Sequence, residues 1–217
     1  MTTPSLPAND CTAIIVRERC EALGFSLAPG VSQLLARYLF MLAKWNRVMN
    51  LVGPSSWEGV LEELVADSFY LAAFLGDLEL PPSPVCWDLG AGAGLPGLPL
   101  RMVWKEGDYT LVEAREKRAL FLRSFLASCP LEGVRVYHGR AETFMRTATA
   151  DLVVSRAFMP WRDLLELVSP GVKPKGCCVI LAKTPLPATL PDGWTAATEK
   201  QYALSGAERY FWALRKS

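Results

Sequence analysis

One stretch of this 217-residue chain limits its fold more than any other: Val85-Cys-Trp-Asp88-Leu-Gly90-Ala-Gly92-Ala-Gly94-Leu-Pro96-Gly97-Leu-Pro99. A short apolar run suited to a buried strand ends in closely spaced glycines and leads towards a helix. Glycine is required at such a junction because a Cβ blocks both a tight turn and the approach of a ligand to the backbone. Just upstream, Pro81-Pro82-Ser83-Pro84 is a stiff break. Beyond it, apolar β-rich runs at 85–89, 109–113, 134–138, 151–155 and 176–183 alternate with helical stretches. The clearest helix spans 115–128, with Leu120, Phe121, Phe125 and Leu126 at helical spacing. This alternation predicts a doubly wound α/β fold whose mostly parallel sheet is covered on both faces. The tail, 201–204 and 209–214 around Ser205-Gly206-Ala207, predicts a closing antiparallel hairpin.

Before the break the pattern is helical, which divides the chain into an extension (1–80) and a sheet domain (81–217). Asn9-Asp10 offers a cap for a helix reaching Ala22. Ser32 precedes a longer helix on which Leu34, Leu35, Tyr38, Met41, Leu42, Trp45 and Val48 recur at spacings of three and four. Gly53-Pro54-Ser55-Ser56 closes that unit and can cap a third helix, 57–75. Asp67 falls on the apolar stripe of this helix, either partly buried with a partner or at the stripe's edge.

Composition narrows the function classes. With 51% apolar and 21% charged residues, the chain can bury a sizeable core, which excludes wholesale disorder. The most apolar candidate for a membrane span, 34–49, carries Arg37, Lys44 and Arg47, and a span needs about 20 apolar residues. The start has neither the basic flank nor the apolar run of a secretory signal, and the six cysteines include no C-x-x-C pair. These features predict reduced thiols and a cytoplasmic location. A single histidine, His138, argues against a histidine-built metal site or a Ser-His-Asp triad. The net charge of +1 hides an asymmetry: residues 1–80 sum to −4 and residues 115–156 to +4. A basic middle points towards an anionic partner.

The glycine turn formally fits a dinucleotide fingerprint through Gly92-x-Gly94-x-x-Gly97. Two features oppose a pyrophosphate there. Pro96 and Pro99 remove amide donors from the helix start, and Asp88 sets a negative charge nearby. A carboxylate suits a cationic, phosphate-free nucleoside instead, and S-adenosylmethionine is one. An acid at the end of the next strand would then hold the ribose hydroxyls; Glu113 stands there, 25 positions after Asp88. Arg140-Ala141-Glu142 follows the third strand, a suitable place for an adenine contact. The expected donor-binding set is Asp88, Gly90, Gly92, Gly94, Leu95, Pro96, Glu113, Ala141, Glu142 and Arg156.

These residues also resemble a known family. Asp88-Leu-Gly-Ala-Gly-Ala-Gly-Leu-Pro-Gly97, Leu111-Val-Glu113, Lys117-Arg118, Phe121-Leu122 and Ser155-Arg156-Ala157-Phe158, with Trp45-Asn46, Asn50-Leu51 and Asp67-Ser68 upstream, are similar to the ribosomal RNA small subunit methyltransferase G family (also called glucose-inhibited division protein B). The similarity runs over about residues 40–185. It implies the Rossmann-like class I methyltransferase fold and methyl transfer from S-adenosylmethionine to N7 of a guanine in 16S ribosomal RNA. The partner would be that RNA or the small-subunit particle, and the chain is expected to act as a monomer without a metal. Guanine N7 bears a lone pair and no proton, so the lack of an obvious general base is consistent.

Arg156, after the fourth strand, and Lys183, after the fifth, are the expected catalytic residues. Both, together with Arg123 and Arg140, are expected to face RNA. Where relatives often carry Arg-His, Asn-Leu-Thr and a glycine after the lysine, this chain has Glu63-Leu64, Asn50-Leu51-Val52 and Lys183-Thr184. Those departures leave room for a methyltransferase of another substrate, or for an RNA-binding relative without turnover.

Overall fold

The computed structural model describes residues 10–217. Its amino-terminal part comprises α1 (Ala13–Ala22), α2 (Pro29–Met49), α3 (Trp57–Val60), a π turn (Leu61–Val65) and α4 (Ala66–Gly76). There follow β1 (Val85–Leu89), α5 (Gly97–Val103), β2 (Asp108–Glu113), α6 (Glu116–Ser128), β3 (Val134–His138), α7 (Ala141–Phe144), β4 (Ala150–Arg156), α8 (Trp161–Val168), β5 (Val172–Ala182), β6 (Trp194–Leu204) and β7 (Ala207–Lys216).

The helix starts correct two expectations. Thr12, rather than Asp10, caps α1, its Oγ1 accepting from the Ile15 amide at 3.4 Å; Asn9 lies outside the described residues. Helix α2 begins at Pro29 instead of after Ser32. Proline at a first turn sacrifices no intrahelical bond, and the buried Ser32 hydroxyl donates back to the Pro29 carbonyl at 2.9 Å. Ser56 caps α3 as expected, accepting from the Gly59 amide at 3.1 Å.

The seven strands run in the order β3-β2-β1-β4-β5-β7-β6. The first five pair parallel, whereas β7 is antiparallel to β5 and β6 to β7. The predicted doubly wound sheet and its antiparallel closing hairpin are both present. Strand β6 extends seven residues further towards the amino end than the pattern suggested. It pairs only with β7, and its stretch from Thr195 to Glu199 is exposed, so no apolar alternation marks it. Polar and charged residues there also shield an open sheet edge.

Side chains alternate across each strand, and that parity sorts the site. Cys86, Tyr109, Leu111, Leu152, Val154, Cys177 and Val179 join one cluster with α1 to α6. Trp87, Leu89, Val112, Val153 and Cys178 join a second with α7 and α8. Asp88, Glu113 and Arg156 share the parity of the first set, so all three turn towards the layer that contains the amino-terminal helices. The chain order reverses between β1 and β4, which opens a crevice at the strands' carboxyl ends.

At the opposite end of β2, Arg101 is buried to 3% exposure. Its guanidinium donates to the carbonyls of Lys105, Glu106, Gly107 and Glu132 at 3.1, 2.5, 3.0 and 3.1 Å, and lies over the rings of Trp104 and Tyr109. Removing it strands several carbonyls away from water. Arg101→Ala is therefore expected to cost about 3 kcal/mol of stability, read as a lower urea midpoint with the donor site unchanged.

Candidate active site

A cavity of about 400 Å³ opens where β1 to β4 end. Gly90 lines it after β1, Val112 to Arg115 after β2, Gly139 to Glu142 after β3, Ala157 to Met159 after β4, and Arg118 from α6. The Glu113 carboxylate is its organising acid, only 4% exposed. Oε2 accepts from the Gly92 amide and Oε1 from the Arg115 amide, each at 2.8 Å. A carboxylate oxygen can accept more than one such bond, so Glu113 keeps capacity for hydroxyl donors. Gly90 has φ +72°, and a Cβ there would run into the Phe158 ring. Glycine thus lets the β4 loop close over the turn. Tyr38 of α2 donates its hydroxyl to the Ala93 carbonyl at 2.9 Å, pinning the turn from the other side.

The glycine turn is otherwise a support rather than a lining. Of the expected set, Gly90, Glu113, Ala141 and Glu142 face the cavity; Asp88, Gly92, Gly94, Leu95, Pro96 and Arg156 do not. Gly94 and Leu95 are buried, with Leu98 and Leu122 crowding the position a Gly94 Cβ would take. Asp88 follows the parity of Cys86 and is 1% exposed beneath the turn. Its Oδ2 accepts from the Tyr109 hydroxyl at 3.4 Å. A Cβ on Gly97 would strike that carboxylate and approach Leu111 Cδ2 to 2.6 Å, so only glycine fits where α5 begins. Burial pushes the Asp88 carboxyl up to about 7, opposed by the Tyr109 hydroxyl, the Arg156 charge and the Gly97 amide, and reinforced by Glu113.

Arg156 and Lys183 meet in a second cavity of about 270 Å³, which shares Ala157 with the first. Leu64, Asp67, Leu181, Ala182, Tyr202 and Arg209 complete it. Arg156 is drawn there by Asp67, whose Oδ2 lies 3.3 Å from Nη1. Asp67 is thus the buried, partnered residue and not an edge one. Arg140 stands on the first cavity, whereas Arg123 is exposed on α6 and lines neither. Arg118, Phe158 and Met159 belong to the first cavity without having been in the expected set. The Ser155-Arg156-Ala157-Phe158 run was a usable signal for Phe158. His138 is exposed at the end of β3. All six cysteines are free, and burial lifts the thiols of Cys20 and Cys177 to about 11 and of Cys86 to about 12, which excludes them as ready nucleophiles. Among the described residues no cluster of three or more His, Cys, Asp or Glu could hold a metal, and no helix is long and apolar enough to cross a membrane.

The profile of the rRNA small subunit methyltransferase G family matches residues 31–203. The chain belongs to this family. A ribosomal RNA small subunit methyltransferase G of Nitratidesulfovibrio vulgaris is 55% identical over 197 residues, 90% of each chain. That of Lawsonia intracellularis is 47% identical over 205 residues, 93% of this chain and 94% of its own. Among solved structures, a Glu-to-Gln mutant of MtNAS in complex with S-adenosylmethionine superposes with a TM-score of 0.60 at 16% identity, covering 93% of this chain and 83% of its own. Precorrin-6y C5,15-methyltransferase of Geobacter metallireducens gives 0.51 at 18% identity, over 68% and 87%. These two likenesses speak for the fold alone.

For a member of the methyltransferase G family, the lining fits the nucleoside methyl donor. Its volume lies within the usual range for small-ligand sites, Glu113 supplies a buried acceptor, and Phe158 and Met159 add apolar wall. A dinucleotide fits poorly, because the first amide of α5 already faces the Asp88 carboxylate. The raised Asp88 carboxyl couples stability to pH. Between its ordinary 3.8 and about 7, the folded chain holds a proton that the unfolded chain releases, so stability falls as pH rises through that window. Asp88→Asn is expected to remove most of this fall, seen as a flatter melting temperature from pH 5 to 8.

Proposed function

We propose that this chain transfers the methyl group of S-adenosylmethionine to N7 of a guanine in 16S ribosomal RNA, presented free or in a small-subunit particle. The observation that carries the reading is a pair of cavities with Ala157 in both linings: one holds the buried Glu113 carboxylate, the other is flanked by Arg156 and Lys183. When bound, S-adenosylmethionine supplies an electrophilic sulfonium methyl, which the N7 lone pair takes in line while the electrons of the broken S–C bond stay on sulfur.

No residue has to remove a proton, since N7 carries none. Glu113 accepts hydrogen bonds from the ribose hydroxyls with its spare lone pairs, its geometry held by the Gly92 and Arg115 amides. Ala141 and Glu142, at the start of α7, are the adenine-side contacts. Arg156 and Lys183 hold the acceptor, as donors to guanine O6 or to a flanking phosphate. Positioning of this kind can supply up to about 7–11 kcal/mol of barrier lowering. Arg140 and Arg118 on the rim, and Arg123 on the exposed face of α6, give the RNA backbone a basic approach. N7 lies in the deep, narrow major groove of A-form RNA, so the target must sit in a loop or in an assembly intermediate that exposes it. We place the protein in the cytoplasm as a monomer that needs no metal; its free thiols agree with a reducing compartment.

The direct test is incubation with labelled donor and either naked 16S RNA or 30S particles. Label at guanine N7 is the expected result, and RNA binding without label transfer refutes the enzyme reading. Glu113→Ala should weaken binding of the demethylated donor by about 1.5–3 kcal/mol in calorimetry; unchanged affinity would sink the ribose assignment. Arg156→Ala should depress turnover on RNA far more than donor affinity, as separate kinetic and binding titrations would reveal.

A further inference from the structure

The second cavity contains one side chain that the reaction scheme leaves without a task. Asp67 is 3% exposed and sits in α4, 89 residues from its partner Arg156. Burying a carboxylate is unfavourable unless it is paired and hydrogen-bonded, and Asp67 meets both conditions. Oδ2 accepts from Arg156 Nη1 at 3.3 Å, and Oδ1 accepts from the Tyr202 hydroxyl at 2.8 Å. The Tyr202 ring is itself fixed, stacked on Phe211 at 4.5 Å between centroids and packed on Tyr70 at 4.9 Å.

The π turn supplies a third hold. Its wider i→i+5 winding skips an amide partner, and such turns recur at functional sites. Here the Leu64 carbonyl accepts from the same Arg156 Nη1 at 3.3 Å, and the Glu62 carbonyl accepts from the Ser205 hydroxyl at 3.2 Å. The turn is therefore tied both to the end of β4 and to the β6–β7 hairpin. Among the described residues, Arg156 spends only Nη1 on these contacts, which leaves Nη2 and Nε for a ligand. The Arg156 side chain is 20% exposed, against 4% for that of Asp67.

We propose that Asp67, Tyr202 and the Leu64 carbonyl form a clamp that positions Arg156 and neutralises its charge for the methyl transfer. This rests on the N7-guanine reading above. As the methyl moves, the guanine ring acquires the positive charge that the donor loses. An unpaired guanidinium beside that ring would oppose the step, whereas one paired with Asp67 can donate hydrogen bonds with far less repulsion. Asp67 and Tyr202 are positioning residues: they act through Arg156 and do not touch the substrate.

The test uses the full chain with 30S particles, measuring kcat, KM for the particle and affinity for the demethylated donor. Asp67→Asn should lower kcat roughly 10–100-fold, the scale of a lost charge-assisted contact, with KM and donor affinity changed far less. Tyr202→Phe should act in the same direction more weakly. In an Arg156→Lys background, neither change should carry its full cost, because coupled residues are non-additive. Equal losses in both backgrounds, or a joint fall of donor affinity and melting temperature with kcat preserved, overturn the clamp. If Asp67→Asn fails to fold, Tyr202→Phe, which deletes a single oxygen, decides by the same criteria. Wild-type chain that leaves guanine N7 unlabelled overturns the function itself and the clamp with it; labelling by wild type with Asp67→Asn unimpaired overturns the clamp alone.

Discussion

The Glu113 carboxylate is the joint on which the donor cavity depends. It lies at the end of β2, yet its two oxygens hold amides on either side: Gly92 in the turn after β1 and Arg115 ahead of α6. Two strand ends and a helix start are thereby set around one buried acid. Because the acceptors are charged and the donors are backbone amides, the arrangement needs no further side chain to keep it in register. On the proposed reading the same atoms accept from a sugar diol, so the acid that builds the wall would also read the ligand.

Parity along the strands distributes everything else. Asp88, Glu113 and Arg156 turn to the face that also packs the amino-terminal helices, yet they end in different situations. Asp88 lies one position before the strand ends and is sealed under the turn by Gly97 and Tyr109. Glu113 closes its strand and reaches the opening. Arg156 closes β4 and finds Asp67 above it. Asp88 stands opposite Leu111, so a difference of two residues in register separates a carboxylate sealed under the turn from one that reaches the cavity.

Much of this was legible in the sequence, for identifiable reasons. Strands β1 and β3 match the apolar runs because both flanks carry turn signals, and Glu113 was marked by standing at a strand end after a glycine turn. Spacing alone puts Asp88 at a strand end beside the turn, whereas its parity with Cys86 aims it at α5 and buries it. The amino-terminal part of strand β6 escaped notice because an edge stretch with exposed Thr195 to Glu199 has no alternation to read. The Asp67–Arg156–Tyr202 association joins three segments far apart in the chain, and no local pattern encodes such a meeting.

That association also imposes an order on biosynthesis. Every residue lining the donor cavity precedes Tyr202 in the chain, the last of them being Met159. Tyr202 belongs to the β6–β7 pair and is translated 43 residues after Met159. A nascent chain thus carries every lining residue of the first cavity before it carries the tyrosine that holds Asp67, so on the proposed reading the acceptor side is completed after the donor side.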